Sequence, residues 1–279
     1  NKVMEMYGII NGTTNYILSQ MTETGVNYAN ALADAQKQGF AEADPTNDVC
    51  GFDAARKLAI LSSIGFRANV TFDDVLVEGI EKIDKSDIQY AKDMGYTIKL
   101  LTVALRQENG IALNVYPAFL PDNHPLSSVK GAYNAIYVTG NIVDDVMFYG
   151  RGAGALPTAS AVMGDVISTA QHILNGSTGT GMIMTDTKRI PFYSSLKLQN
   201  SYYFRLDVDD VTGVLSQIAA AFAENDISIC EVVQKRKTKG LAELVLITEL
   251  ASRESILQVE KALQVLPCMC KVANVIRVM

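Results

Sequence analysis

Residues Gly39 to Ile60 read GFAEADPTNDVCGFDAARKLAI, and the rest of the 279-residue chain can be laid out from this stretch. Its first half consists mostly of small residues and turn formers and carries Glu42, Asp44 and Asp48. A further carboxylate, Asp53, stands near the start of FDAARKLAILSSI, where apolar residues recur at helical spacing and predict a helix. Asp53 and Lys57 then share one helical face, about 6 Å apart along the axis, and can hold each other. A lone exposed pair of this kind is an ordinary surface salt bridge that contributes at most ~0.5 kcal/mol. The company changes its meaning. Several carboxylates on a Pro-containing loop, followed by a helix with a lysine one turn in, describe a polar substrate site with an acid/base group.

Working outward, 48% apolar and 19% charged residues supply material for one large or two ordinary cores. No run of about 18 apolar residues is present, and the opening NKVMEMYG lacks the basic start and apolar core of a signal peptide. A net charge of -6 argues against a nucleic-acid surface, which needs clustered Lys and Arg, and directs attention to small-molecule partners. Cys50, Cys230, Cys268 and Cys270 lack zinc-site spacing and read as reduced packing residues, which fits a cytoplasmic protein. A first residue of Asn, with structure already under way, reads as a piece of a longer polypeptide.

Upstream, YGIINGTTNYILSQM (Tyr7 to Met21) breaks at Asn11 and Gly12 and resumes as a helix with Thr13 or Thr14 as its cap. The N-terminus of such a helix attracts an anion, although on this motif alone a plain capped helix is the better explanation. Tyr28 to Gly39 predicts a second helix closed by a left-handed glycine, so the acidic loop begins at a helix C-terminus.

NGTTNYIL (Asn11 to Leu18) followed by AQKQGFAEADPTNDVCGFDAARKLAIL (Ala35 to Leu61) strongly resembles the catalytic domain of homoserine dehydrogenases. The resemblance implies that Glu42 and Asp48 bind the substrate amino group. It implies that Asp53 orients the catalytic Lys57, which exchanges a proton with the substrate oxygen, and that Gly12 and Thr13 lie where the family's turn approaches the substrate. Cys50 stands where relatives carry a polar or acidic residue. The residue chemistry asks for the same roles: an ammonium needs carboxylates, and a carbonyl being reduced needs an acid.

Downstream, Ile88 to Asp93 predicts a helix closed by Gly95. Ile98 to Arg106, Ile111 to Phe119 and Ala135 to Val138 predict strands of a mixed or antiparallel sheet, the first two joined by a Glu-Asn-Gly turn. His124 and His172 have no evident partners and read as structural or solvated. GRGAGA (Gly150 to Ala155) follows a predicted strand and satisfies G-x-G-x-x-A, but the acidic ribose partner about twenty residues on is missing. The family resemblance, carried by Gly150, Gly152, Ala153, Gly154, Thr158, Ala159 and Asp165, implies instead that Gly152 and Gly154 pass close to a nicotinamide. It further implies that the helix from Thr158 returns to a nucleotide-binding domain. That domain, which in the family binds most of the NAD(P), would precede Asn1, so the chain by itself is expected to bind NAD(P) poorly and not to turn over.

After Asn175 to Lys188 the elements read β-α-β-β-α-β, the split arrangement of ferredoxin-like domains. DVTGVLSQIAAAFAENDISICEVVQ (Asp210 to Gln234) resembles an ACT domain, in which Gly213, Asn225 and Ile227 would form an amino-acid effector site at a dimer interface. Val211 and Thr212 replace the Lys-Pro frequent in relatives. An assembly module without effector is the plainer alternative.

The expectation is an α+β protein: a catalytic domain over 1–175, its helix 158–175 returning to the nucleotide-binding domain, a linker over 176–198 and an ACT domain over 199–279. The expected reaction interconverts L-aspartate 4-semialdehyde and L-homoserine, a step toward threonine and methionine. Threonine is the expected effector, at least a dimer the expected assembly. Two rivals stand beside it: an amino-acid-sensing or dimerisation protein acting through the ACT domain, and a dehydrogenase of another amino-acid semialdehyde.

Overall fold

A computed structural model describes residues 1–177, 190–236 (Arg236 by its backbone) and 240–279. In chain order the main elements are β1 (Val3–Ile9), α1 (Gly12–Thr24), α2 (Tyr28–Lys37), α3 (Thr46–Val49), α4 (Phe52–Phe66), β2 (Leu76–Val77), α5 (Lys85–Asp93), β3 (Tyr96–Gln107) and β4 (Gly110–Pro121). They continue as β5 (Tyr133–Gly140), β6 (Asp144–Arg151), α6 (Ala155–Leu174), β7 (Gln199–Asp209), α7 (Val214–Ala223), β8 (Ile229–Arg236), β9 (Leu241–Thr248), β10 (Ala251–Ser252), α8 (Arg253–Gln264) and β11 (Met269–Val278).

One sheet runs through the molecule in the order β6-β5-β1-β3-β4-β11-β7-β9-β8. Its neighbours are antiparallel except at β4, along whose outer edge two segments pair in parallel: β2 opposite Asn114 and Val115, and β11 opposite Ala118 and Phe119. The α+β class and the mixed sheet are as expected. The C-terminal order β11-β7-β9-β8, with α7 and α8 on one face, is the ferredoxin-like arrangement expected there.

Strand alternation decides what each face buries. On β3, Ile98, Leu100 and Ala104 pack under α1, α4 and α5, while Leu101 and Val103 join Ile9, Tyr116 and Leu126 on the other face. On β7, Tyr202, Phe204, Leu206 and Val208 pack against α7 and α8, whereas Tyr203 belongs to the helix-side core of the first part. The two parts therefore share a core as well as a sheet.

A buried polar cluster fastens that junction. Asp87 of α5, fully buried, accepts from Arg205 Nε (2.7 Å), Tyr203 Oη (3.1 Å) and Asn274 Nδ2 (2.8 Å). Arg205 also reaches Glu243 at 3.4 Å, and Arg277 grips Glu78 through two bonds of 2.8 and 3.0 Å. Burial followed by the Asp87 charge raises the Tyr203 phenol, and the hydrogen bond from Arg205 to Asp87 holds the guanidinium charged against the opposing effect of burial.

Part of the expected linker over 176–198 is structured: Ile111 exchanges backbone hydrogen bonds with Pro191 and Tyr193 at 3.0 and 2.8 Å. Its residues 178–189 lie outside those described. All four cysteines are free, but only Cys268 is buried, so a packing role fits it and not Cys230 or Cys270, which are exposed. His124 Nδ1 accepts from Leu126 N at 3.1 Å and turns its own loop, and burial lowers the imidazole pKa. His172 is exposed on α6.

Candidate active site

The cleft forms where β1 ends and α1 starts. The cap of α1 is Asn11, not Thr13 or Thr14: its Oδ1 accepts from Thr14 N and Thr14 Oγ1, both at 2.9 Å. Both threonines already lie inside the helix, and Thr13 Oγ1 instead donates to Phe40 O at 2.6 Å, which ties the helix start to the acidic loop. Gly12 faces the chain across the cleft, where an added Cβ would stand 3.1 Å from Ala132 O.

The acidic loop leaves α2 through Gly39, whose φ of 77° is the left-handed closure expected of it. Phe40 packs on Tyr16 with ring centroids 4.5 Å apart. Asp44 turns back on its own chain, accepting from Thr46 N (3.1 Å) and Thr46 Oγ1 (2.6 Å), and these bonds lower its pKa. It therefore shapes the loop and leaves the cleft to the others. Gly51, at φ 81°, turns α3 into α4 and so sets Asp48 beside Asp53.

Asn11 Nδ2 donates to Asp48 Oδ1 at 2.7 Å and to Asp53 Oδ2 at 2.8 Å. The same Asp53 oxygen receives Lys57 Nζ at 2.7 Å, and Nζ also reaches Ile10 O at 3.3 Å. Lys57 is partly exposed, so its ammonium group is held yet remains accessible to a ligand. The Glu42 carboxylate stands exposed at the rim without a hydrogen bond or ion pair among the described residues. The facing wall is Ala132 just before β5, Asn134 within it, and Arg151 to Gly154 from the end of β6 onward. Asn134 Nδ2 donates to Ile10 O at 3.4 Å, and its buried Oδ1 has no partner among the described residues. A Cβ on Gly152 would collide with that carboxamide.

The enclosed volume is about 480 Å³. Around it stand Lys57, Asp53, Glu42, Asp48, Gly12, Thr13, Gly152 and Gly154, every catalytic, substrate and cofactor position singled out above. A carboxylate pair beside a lysine, with glycine backbone opposite, can hold an ammonium and exchange a proton with an oxygen a few ångströms away. A second cleft, of about 530 Å³, lies between residues 77–83 and β11, where Arg253 pairs with Glu78 and Glu260. It contains none of the acid/base groups named above.

Residues 1–167 match the homoserine dehydrogenase family. The chain belongs to that family. Residues 202–268 match the ACT domain. The homoserine dehydrogenase of Mycobacterium tuberculosis (strain H37Rv) is 44% identical over 285 residues, covering 99% of this chain and 64% of its own length. The crystal structure of a homoserine dehydrogenase from Thiobacillus denitrificans superposes with a TM-score of 0.93 at 35% identity, over all of this chain and 64% of that one. A hyperthermophilic archaeal homoserine dehydrogenase in complex with NADPH matches 61% of this chain and 48% of its own, at 26% identity and a TM-score of 0.51. The chain thus spans about 64% of the length of the relatives it matches across nearly its full length.

Three residues of the cleft, Asn11, Asn134 and Arg151, escaped the sequence reading. Asn11 carried a signal, an N-cap type at the strand–helix break, but its two carboxylate bonds depend on contacts 37 and 42 residues away. The effector positions fall in two places. Gly213 caps the start of α7, while Asn225 and Ile227 follow its end, and the Ile227 side chain is buried in the C-terminal core.

Proposed function

We propose that this chain carries the substrate site of an NAD(P)-dependent homoserine dehydrogenase, interconverting L-homoserine and L-aspartate 4-semialdehyde. The observation that supports it most is Asp53 shared between Lys57 and Asn11, with Asp48 on the other arm of the same amide. In the reducing direction Lys57 gives its proton to the carbonyl oxygen and takes it back in the reverse. Asp53 keeps the ammonium group directed at that oxygen, while Glu42 and Asp48 receive the substrate amino group. Gly12 and Thr13 bound the space left for the substrate backbone.

Gly152 lies so close to Asn134 that a side chain has no room, and the bare backbone that it and Gly154 bring to the cleft suits the close approach of a flat ring. A nicotinamide there would supply or accept the two electrons as hydride. Whether most of the dinucleotide is held by another part of the polypeptide, and whether NAD or NADP is preferred, belongs to the same test. That test measures L-homoserine-dependent nicotinamide reduction by the chain and by the full-length protein, with other amino-acid semialdehydes run in reverse as competitors. Turnover of another semialdehyde in preference would replace the homoserine assignment.

The ACT match supports a second function, an amino-acid effector site with threonine as the first ligand to test. Gly213 and Asn225 lie at opposite ends of α7, so a site using both would join two copies of the chain. Calorimetric titration with L-threonine, with oligomeric state followed in parallel, tests sensor and dimer together; silence would favour an assembly module. A cytoplasmic location fits the four free cysteines.

A further inference from the structure

Asn11 is 4% exposed and sits at the break between β1 and α1. A side-chain amide offers two acceptor sites on oxygen and two N–H donors. Here all four are used: Oδ1 takes Thr14 N and Thr14 Oγ1, and Nδ2 gives one hydrogen to Asp48 and one to Asp53. The orientation is unique, because a flipped amide would set its oxygen against two carboxylates and its N–H groups against the Thr14 backbone donor.

Asp48 and Asp53 come from different helices and would repel each other across this gap. A cation between them would neutralise the charge that an ammonium ligand needs. Asp, Ser or Thr at position 11 would cap the helix but bring no pair of N–H donors. Only asparagine among the good capping residues both closes α1 and spans two carboxylates while leaving their charge in place.

We propose that Asn11 is a positioning residue: it fixes the spacing between the ammonium-binding Asp48 and the Asp53–Lys57 proton-transfer pair, and so couples amino-group binding to proton transfer. This rests on the homoserine reading of the cleft. Asp48 Oδ2 and Asp53 Oδ1 make no hydrogen bond among the described residues, so each carboxylate keeps one oxygen for a ligand while the amide holds the other.

The test separates cap from bridge. Asn11→Ser and Asn11→Asp retain the cap oxygen and lose the donors, whereas Asn11→Ala loses both. In the full-length protein the serine variant should keep a higher thermal unfolding midpoint than the alanine variant, yet raise KM for L-homoserine and lower kcat by about tenfold each, the scale of a lost charge-assisted hydrogen bond. The alanine variant should show the same kinetic losses and a lower midpoint. Wild-type KM and kcat in the serine variant would overturn the proposal and leave Asn11 a cap. A ligand-free readout keeps the question open should L-homoserine prove the wrong substrate. By NMR the two Asn11 side-chain amide protons should exchange slowly, one responding to Asp48→Asn and the other to Asp53→Asn. Fast exchange with no response to either would overturn the bridge, whatever the substrate.

Discussion

Lys57 and Asn134 donate to the same acceptor, the main-chain carbonyl of Ile10, at 3.3 and 3.4 Å. The lysine on one wall and a carboxamide on the other are thereby registered on the last residue before the Asn11 cap. Asn134 Oδ1, buried and unpaired among the described residues, is an acceptor that a ligand donor could satisfy.

Replacing Asn134 by Leu removes that stranded oxygen while keeping similar volume. Protein stability should hold or rise by up to about 1 kcal/mol, because an unsatisfied buried polar atom is lost. Homoserine turnover should nevertheless fall about tenfold or more. Paired thermal melts and steady-state kinetics check this; parallel losses in both would make Asn134 a structural residue.

Gly79 tests how the C-terminal part reaches the site. Its backbone passes so near α3 that an added Cβ would collide with Val49 O and stand 2.6 Å from Cys50 Cα. The neighbouring Ile80 N donates to Val49 O at 2.8 Å, and Glu78 on the other side is gripped by Arg277. Gly79→Ala should cost about 1–3 kcal/mol as an overpacking change. Because the displaced turn carries Asp48, KM for homoserine should rise more than kcat falls.

How much of this was readable beforehand follows the range of the interactions. Helix α4, the Asp53–Lys57 pair and the glycine closures at Gly39 and Gly95 depend on neighbours within a turn, and the sequence pattern predicts them. The order β-α-β-β-α-β was equally legible from its alternating periods. Asn11 as a bridge, Asn134 beneath Gly152 and the parallel pairing of β4 with β11 join residues far apart in sequence, and local periodicity says nothing of them. Arg205 stands among Tyr202, Tyr203, Phe204 and Leu206 on β7, a hint of a buried ion pair, but its shortest carboxylate contact, Asp87, lies outside the C-terminal domain.

That ion pair should carry measurable stability. Asp87→Ala leaves Arg205 buried with Glu243 and the more distant Asp84 (3.8 Å) as its carboxylate partners among the described residues, and breaking such a buried pair costs about 3–5 kcal/mol. The exposed Lys130–Glu23 pair, 3.1 Å long, serves as control, and Glu23→Ala should change stability by less than about 1 kcal/mol. Urea unfolding of both variants, with amide exchange in β11, measures the contrast.

Lys99 supplies a pH dependence. It is 2% exposed and donates to Asn15 Oδ1 at 3.0 Å and to Val129 O; burial, and then the charge of Lys130, push its ammonium pKa down to about 8 from 10.5. Between those values the unfolded chain binds more protons than the folded one, so this group makes stability rise with pH; below about 8 its cost is complete. Lys99→Met removes that slope. From pH 7 to 10 the stability difference should move in favour of the wild type by about 2–3 kcal/mol. A constant difference would mean that Lys99 is not held in a depressed state.

The most direct measurement is the effect of Lys57→Ala in the full-length protein on homoserine oxidation, with Glu42→Gln beside it. The account predicts that Lys57→Ala lowers kcat by about 100-fold or more while homoserine affinity changes little, as loss of an acid/base group should. Glu42→Gln should raise KM first. Equal effects of Lys57→Ala on kcat and on binding, or turnover close to that of the wild type, would contradict the assignment of Lys57 as the proton-transfer residue of this site.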